Sequence, residues 1–284
     1  MILRRLVALL ILATIGSVAP IATDAAAQTN PFQTLAHRIY DQESGLPETL
    51  ISSVARTPDG YLWLGTRRGL VRFDGSRFRL FTPDDTPALR SSYISRLATD
   101  GSNRLWIGTA GGLAVLEKGA FRAVGTEAGF GSWPIEAVFA DRSGAVWVST
   151  DSVMLRSAGG RFEVVADHPV AAFAEDRGGR IWVGTDEGLF RVDGGRLVAA
   201  PGSPDRSLGA VTALATDAAG ALWAGVRGGV RRIEIGDDGR ATAGPLVSIA
   251  EDALPPLVSS LAVDRAGRVW IGSPTHGLAI WDGR

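Results

Sequence analysis

The chain has 284 residues, with 29 lysines and arginines against 30 aspartates and glutamates, and it contains no cysteine. A formal charge of −1 argues against general affinity for nucleic acid, which needs a basic face. Without cysteine there are no disulfides, thiolate metal sites or thiol catalysis, so stability must come from packing and sheet closure.

The chain opens like an export leader. Arg4 and Arg5 precede an apolar stretch from Leu6 to Val18, and Ala25-Ala26-Ala27 offers a small-residue cleavage site before Gln28. The apolar run is short for a membrane span and is interrupted by Gly16 and Pro20. We therefore expect a cleaved signal peptide at 1–27 and one mature domain at 28–284 in the periplasm. Removal of Arg4, Arg5 and Asp24 changes the balance from 29 minus 30 to 27 minus 29. No second apolar stretch of transmembrane length follows.

Next comes Leu35-Ala36-His37-Arg38-Ile39-Tyr40, an alternating stretch that reads as a strand. After it one short phrase returns six times, centred on Trp63, Trp106, Trp147, Trp182, Trp223 and Trp270. The first copy is Tyr61-Leu62-Trp63-Leu64-Gly65-Thr66 and the last Arg268-Val269-Trp270-Ile271-Gly272-Ser273, at intervals of 43, 41, 35, 41 and 47 residues. A repeat of roughly 40 to 50 residues made of short β segments is the mark of a propeller blade, which cannot bury its faces alone.

Within the first copy, Ile51 to Arg56, Tyr61 to Thr66, Gly69 to Phe73 and Arg77 to Phe81 read as four strands. Pro58-Asp59-Gly60 and Asp74-Gly75 supply the positive φ of tight hairpins between them. The expected fold is thus all-β, a β-propeller of four-stranded antiparallel blades with essentially no helix after the leader. An aspartate six residues before the tryptophan recurs at Asp100, Asp141, Asp176, Asp217 and Asp264, with Thr57 in its place in the first copy. Each falls at the inner hairpin turn, where an aspartate bonds its own backbone, so these positions read as structural. The tryptophans read as filling between neighbouring sheets.

The third copy departs most, with Val153-Met154 where others have Gly-Leu. The sixth stops at Gly283-Arg284, before the outer strand that Phe78, Phe121, Phe162 and Leu197 mark in earlier copies. Two readings stay open. Leu35 to Tyr40 can pair with Leu278 to Trp281 as that outer strand and close a six-bladed ring, or the chain is a piece of a larger ring.

These repeats resemble the two-component regulator propeller family, the ligand-sensor β-propellers at the amino end of bacterial membrane sensors. The resemblance rests on Ser44-Gly45-Leu46-Pro47, on Ile51 to Val54, on the run from Asp59 to Gly75 and on its five looser echoes, and it covers about Thr34 to the end. It implies a propeller outside the cytoplasmic membrane, often of seven blades, followed by a β-sandwich, a transmembrane helix and an output such as a histidine kinase or diguanylate cyclase. It also implies a sensory role, with oligosaccharide as a ligand class.

The ligand site must be argued from residues. One rim collects the links between second and third strands and the connections between blades. There we place Arg67, Arg68, Tyr93, Trp133, Arg227 and His276, a set suited to a polar or anionic ligand because arginine offers forked donors to carboxylate or sulfate. His37, His168 and His276 occupy unlike places in the repeat and lack metal-ligand spacing, and no serine sits in a nucleophile elbow. We expect no metal, no cofactor and no enzymatic activity. The expected function is an extracytoplasmic sensory module for a small molecule or oligosaccharide, partnered with a membrane sensor. The alternatives are a propeller lyase or hydrolase acting on a glycan or lactone, with His276 or Glu136 as acid or base, and a protein-interaction scaffold.

Overall fold

The computed structural model describes residues 39–199, 208–249 and 256–283. It is an all-β propeller. Each Trp phrase forms the second strand of a consecutive antiparallel sheet, as the repeat predicts. Blade one has Ile51–Arg56, Leu62–Thr66, Leu70–Phe73 and Phe78–Phe81, and blades two to five likewise have four strands. Blade six has three among the described residues, Ser260–Val263, Val269–Ser273 and Gly277–Trp281. Two short 3-10 turns, Pro87–Leu89 and Thr126–Ala128, lie between strands among the described residues.

Of the stretch expected to close the ring, Leu35 to Arg38 lies outside the described residues. Ile39 and Tyr40 carry no strand. The Tyr40 ring instead packs edge-on against Phe73 and Phe78 of blade one, with centroids 5.0 and 5.5 Å away.

The core is a series of layers between blades. Each layer pairs the tryptophan of one blade with the aliphatic residues of the next Trp strand. Trp63 lies with Leu105 and Ile107, Trp106 with Val146 and Val148, Trp147 with Ile181 and Val183, Trp182 with Leu222 and Ala224, and Trp223 with Val269 and Ile271. These five tryptophans are buried, and Trp270 is half-buried.

The glycine of the phrase explains how closely the sheets approach. A Cβ on Gly184 would lie 2.7 Å from the Val211 side chain, and one on Gly225 would lie 2.6 Å from Val258, so a methyl group there would force the blades apart. Ile94 and Ile135 seat in the same way on Gly65 and Gly108. Blade three carries Ser149 at this place. Its hydroxyl accepts the Val170 N–H at 2.7 Å, so a polar contact replaces the close one.

Candidate functional site

The inner hairpin turns carry most of the ionic chemistry. Asp176 Oδ1 accepts the Arg180 N–H at 3.0 Å, while Oδ2 accepts the Trp182 indole N–H at 2.8 Å and Arg180 Nε at 2.7 Å. Asp100 and Asp264 repeat the arrangement with Arg104 and Trp106 and with Arg268 and Trp270. Asp141 bonds Trp147 and Ser143. The backbone role expected of these aspartates is therefore half of what they do, since each of these four also locks a tryptophan in place. Burial works to raise the carboxyls of Asp100, Asp141 and Asp176, but the indole, hydroxyl and guanidinium donors outweigh it and hold all three below the ordinary range. The Trp270 indole, with Arg268, lowers Asp264 to about 2.

On the opposite rim, the residue that ends the phrase shapes the links. The Thr66 hydroxyl accepts the N–H groups of Arg68 and Gly69 at 3.1 Å and donates to the Gly69 carbonyl at 2.8 Å. Thr109, Thr150 and Thr185 accept from their own links in the same way. This turn consumes the link's backbone donors. The side chains of Arg67 and Arg68 stay exposed, as do Asp151, Asp186 and Arg227 on later links.

Of the six residues placed on this rim, the structure brings two together. Arg67 Cζ lies 5.8 Å from the centre of the Tyr93 ring, within reach of a cation–π contact. Arg68 donates to the Pro47 carbonyl at 3.3 Å. Trp133 packs edge-on against Phe130, with centroids 5.6 Å apart. His276 bonds the Thr275 hydroxyl at 2.7 Å, and Arg227 stands exposed on the link of blade five.

Around the channel the hydroxyls tie blades together. Ser52 Oγ donates to the Ile94 carbonyl at 2.5 Å, and Thr212 Oγ1 donates to the Val258 carbonyl at 2.5 Å. Ser95 Oγ, at the equivalent place in blade two, is buried without a partner among the described residues.

Sequence reasoning missed the clefts. One of about 740 Å³ opens between blades one and two, and another of about 670 Å³ is lined by Phe139, Phe173 and Leu214 on the inner strands of blades three to five. None of the six rim residues lines either. The only sequence sign of the first was the aspartate missing at Thr57. No helix among the described residues is long and apolar enough to cross a membrane, and no three metal-ligating side chains cluster there.

The model of the two-component regulator propeller matches residues 45–68, 88–111 and 165–187. No curated protein matches the chain by sequence. Among solved structures, the extracellular domain of BT4673 from B. thetaiotaomicron, described as a one-component system, is similar at 18% identity and TM-score 0.55 over 84% of this chain and 39% of that one. PorZ, a surface component of the type-IX secretion system of Porphyromonas gingivalis, is similar at 16% identity and TM-score 0.64 over 82% and 38%. Virginiamycin B lyase from Staphylococcus aureus shares 11% identity at TM-score 0.58 over 81% and 83%. The chain thus spans about two fifths of the length of BT4673 and PorZ, and at these identities the likeness shows the fold. What the family match adds is where the likeness lies: the matched segments fall in blades one and two and from the end of blade three into blade four, and there the chain is similar to the two-component regulator propeller repeat.

Proposed function

We propose that the chain is the extracytoplasmic ligand-binding propeller of a bacterial two-component-type sensor, taking an anionic ligand on the rim that carries Arg67, Tyr93 and Arg227. The observation that carries this reading is the match of three blades to the two-component regulator propeller. The description of the BT4673 relative as an extracellular domain supports it, as does the leader-like start at 1–27. Exposed arginine beside exposed tyrosine offers a forked donor and a flat apolar face to a sugar acid.

The test has two arms. Expression with the leader intact is expected to yield periplasmic protein whose first residue is Gln28. A glycan array is expected to show binding to acidic oligosaccharides that weakens with salt, because exposed ion pairs are screened. Cytoplasmic retention of the intact chain would overturn the location. Equal binding of neutral and acidic glycans would remove the arginine rim, and cleavage of bound glycans would replace the sensor by an enzyme.

A further inference from the structure

The repeat breaks in one place that lines a cavity. In blade one the hairpin aspartate is replaced by Thr57. The Trp63 indole loses nothing, since it donates to the Thr57 hydroxyl at 2.9 Å, which in turn donates to Asp59 at 2.5 Å. Arg72 lacks the partner that its equivalent has in blade five. It stands across from Trp63 in the strand register, as Arg232 stands across from Trp223 in blade five. Arg232 closes on Asp217 Oδ2 at 2.9 Å. With threonine in the aspartate's place, Arg72 rests on the Tyr61 ring, 4.3 Å from its centre, and forms no ion pair among the described residues.

Arg79 is the cross-strand partner of Arg72. Its Cζ lies 4.6 Å from the centre of the Phe81 ring, and it too has no ion pair among the described residues. Two like charges directly opposite on a sheet repel. Both face the cleft of about 740 Å³, whose far wall presents Leu116, Phe121 and Lys118. The lining also carries Asp59, Asp85 and Glu117, which match the three cations in number but close an ion pair with none of them. Asp59 is engaged by Thr57, and Asp85 accepts from the Thr82 N–H at 2.8 Å and the Thr86 hydroxyl at 3.0 Å. Glu117 on the far wall forms no ion pair with Arg72, Arg79 or Lys118.

We infer that this cleft is a binding site for an aromatic carboxylate, with the Arg72 and Arg79 guanidiniums holding the carboxylate and the half-buried Phe121 and Leu116 receiving the ring. A guanidinium fork fits two carboxylate oxygens, and a flat ring fills an apolar wall in edge-to-face contact. The cavity volume falls in the range of small-molecule sites. The site is separate from the rim and does not depend on the reading given for it.

The experiment is titration calorimetry on the full chain with 4-hydroxybenzoate. The controls are 4-hydroxybenzamide, which keeps the ring without the charge, and acetate, which keeps the charge without the ring. Both controls are expected to bind more weakly by on the order of tenfold. Arg79→Gln, at an exposed position outside the tryptophan network, is expected to weaken 4-hydroxybenzoate by on the order of tenfold, and Arg72→Gln likewise. Thr57→Asp restores the carboxylate of the other blades beside Arg72, and is expected to abolish binding while the melting temperature is kept. Arg67→Ala with Arg227→Ala is expected to leave this binding unchanged. The inference is overturned if 4-hydroxybenzoate does not bind at millimolar concentration, if either control binds as well, or if Arg79→Gln and Thr57→Asp bind like the parent protein. Loss of binding in the rim variants alone would move the carboxylate to the rim.

Discussion

The five interfaces between successive blades and the junction between blade six and blade one are built from the same repeat, yet they differ where the start of one inner strand meets the preceding blade. At the start of the inner strand or two residues before it, Ile94, Ile135, Val170, Val211 and Val258 each seat on the glycine or serine of the preceding blade and are buried. Ile51 is their equivalent in blade one and is 36% exposed, against 0% for Ile94. Three residues along, Val54 is 56% exposed and its equivalent Leu97 is 8% exposed. On the other side, no atom of Ile51 is among those nearest a Cβ built on Gly272. Blade one's face toward blade six is covered locally by Leu46, which packs with Leu64 and Val71. The repeat therefore supplies a projection and a socket at every blade, and burial follows only where a neighbour brings the two together.

The largest test of this contrast lies inside the ring. Trp182 is fully buried between blades four and five, and Trp182→Ala is expected to destabilise by about 3–5 kcal/mol, read as a large drop in melting temperature. An unchanged melting curve would place the ring outside the core. Ile94→Ala should follow at about 2–5 kcal/mol, and Ile51→Ala at about 1 kcal/mol because its site is already partly open to water. Equal losses for the two isoleucines in denaturant titrations would mean that blade six closes on blade one in solution.

The acid response sharpens the same comparison on the opposite rim. Asp100, Asp141, Asp176 and Asp264 have folded pKa values below the ordinary 3.8, so the stability they contribute is present above that pH. It is lost as pH falls, for Asp264 between 3.8 and about 2. Blade one has Thr57, which does not titrate. The indole resonances of Trp106, Trp147, Trp182 and Trp270 should therefore hold above pH 3.8 and move only below it, for Trp270 near pH 2, while that of Trp63, bonded to a hydroxyl, moves less. Asp176→Asn should flatten the acid side of the melting profile. A Trp63 signal that shifts with the rest would show that blade one gains no independence from its threonine.

The smallest effect belongs to the rim. Arg67→Ala and Arg227→Ala remove exposed side chains and should leave stability within about 0.5 kcal/mol. Their consequence is expected in ligand affinity alone, and a marked loss of stability would make them structural.

The sequence by itself determined the blades, because turn chemistry and the two-residue alternation of strands act over a few residues. The Trp phrase, the Asp-Gly and Pro-Asp-Gly turns and the four-strand order of blade one all stand where the sequence put them. The exposed link residues were legible as a list, since each link follows directly on the end of the Trp phrase, a threonine in blades one to four. Their meeting was not, and of the six only Arg67 and Tyr93 come together. Tertiary structure alone decided that the second oxygen of four hairpin aspartates locks a tryptophan, that Arg72 rests on the Tyr61 ring, and that Gly272 lacks the contact its equivalents make with the next blade. The physical reason is that these depend on which sheet stands opposite, and a repeat that is the same in every blade carries no record of its neighbours.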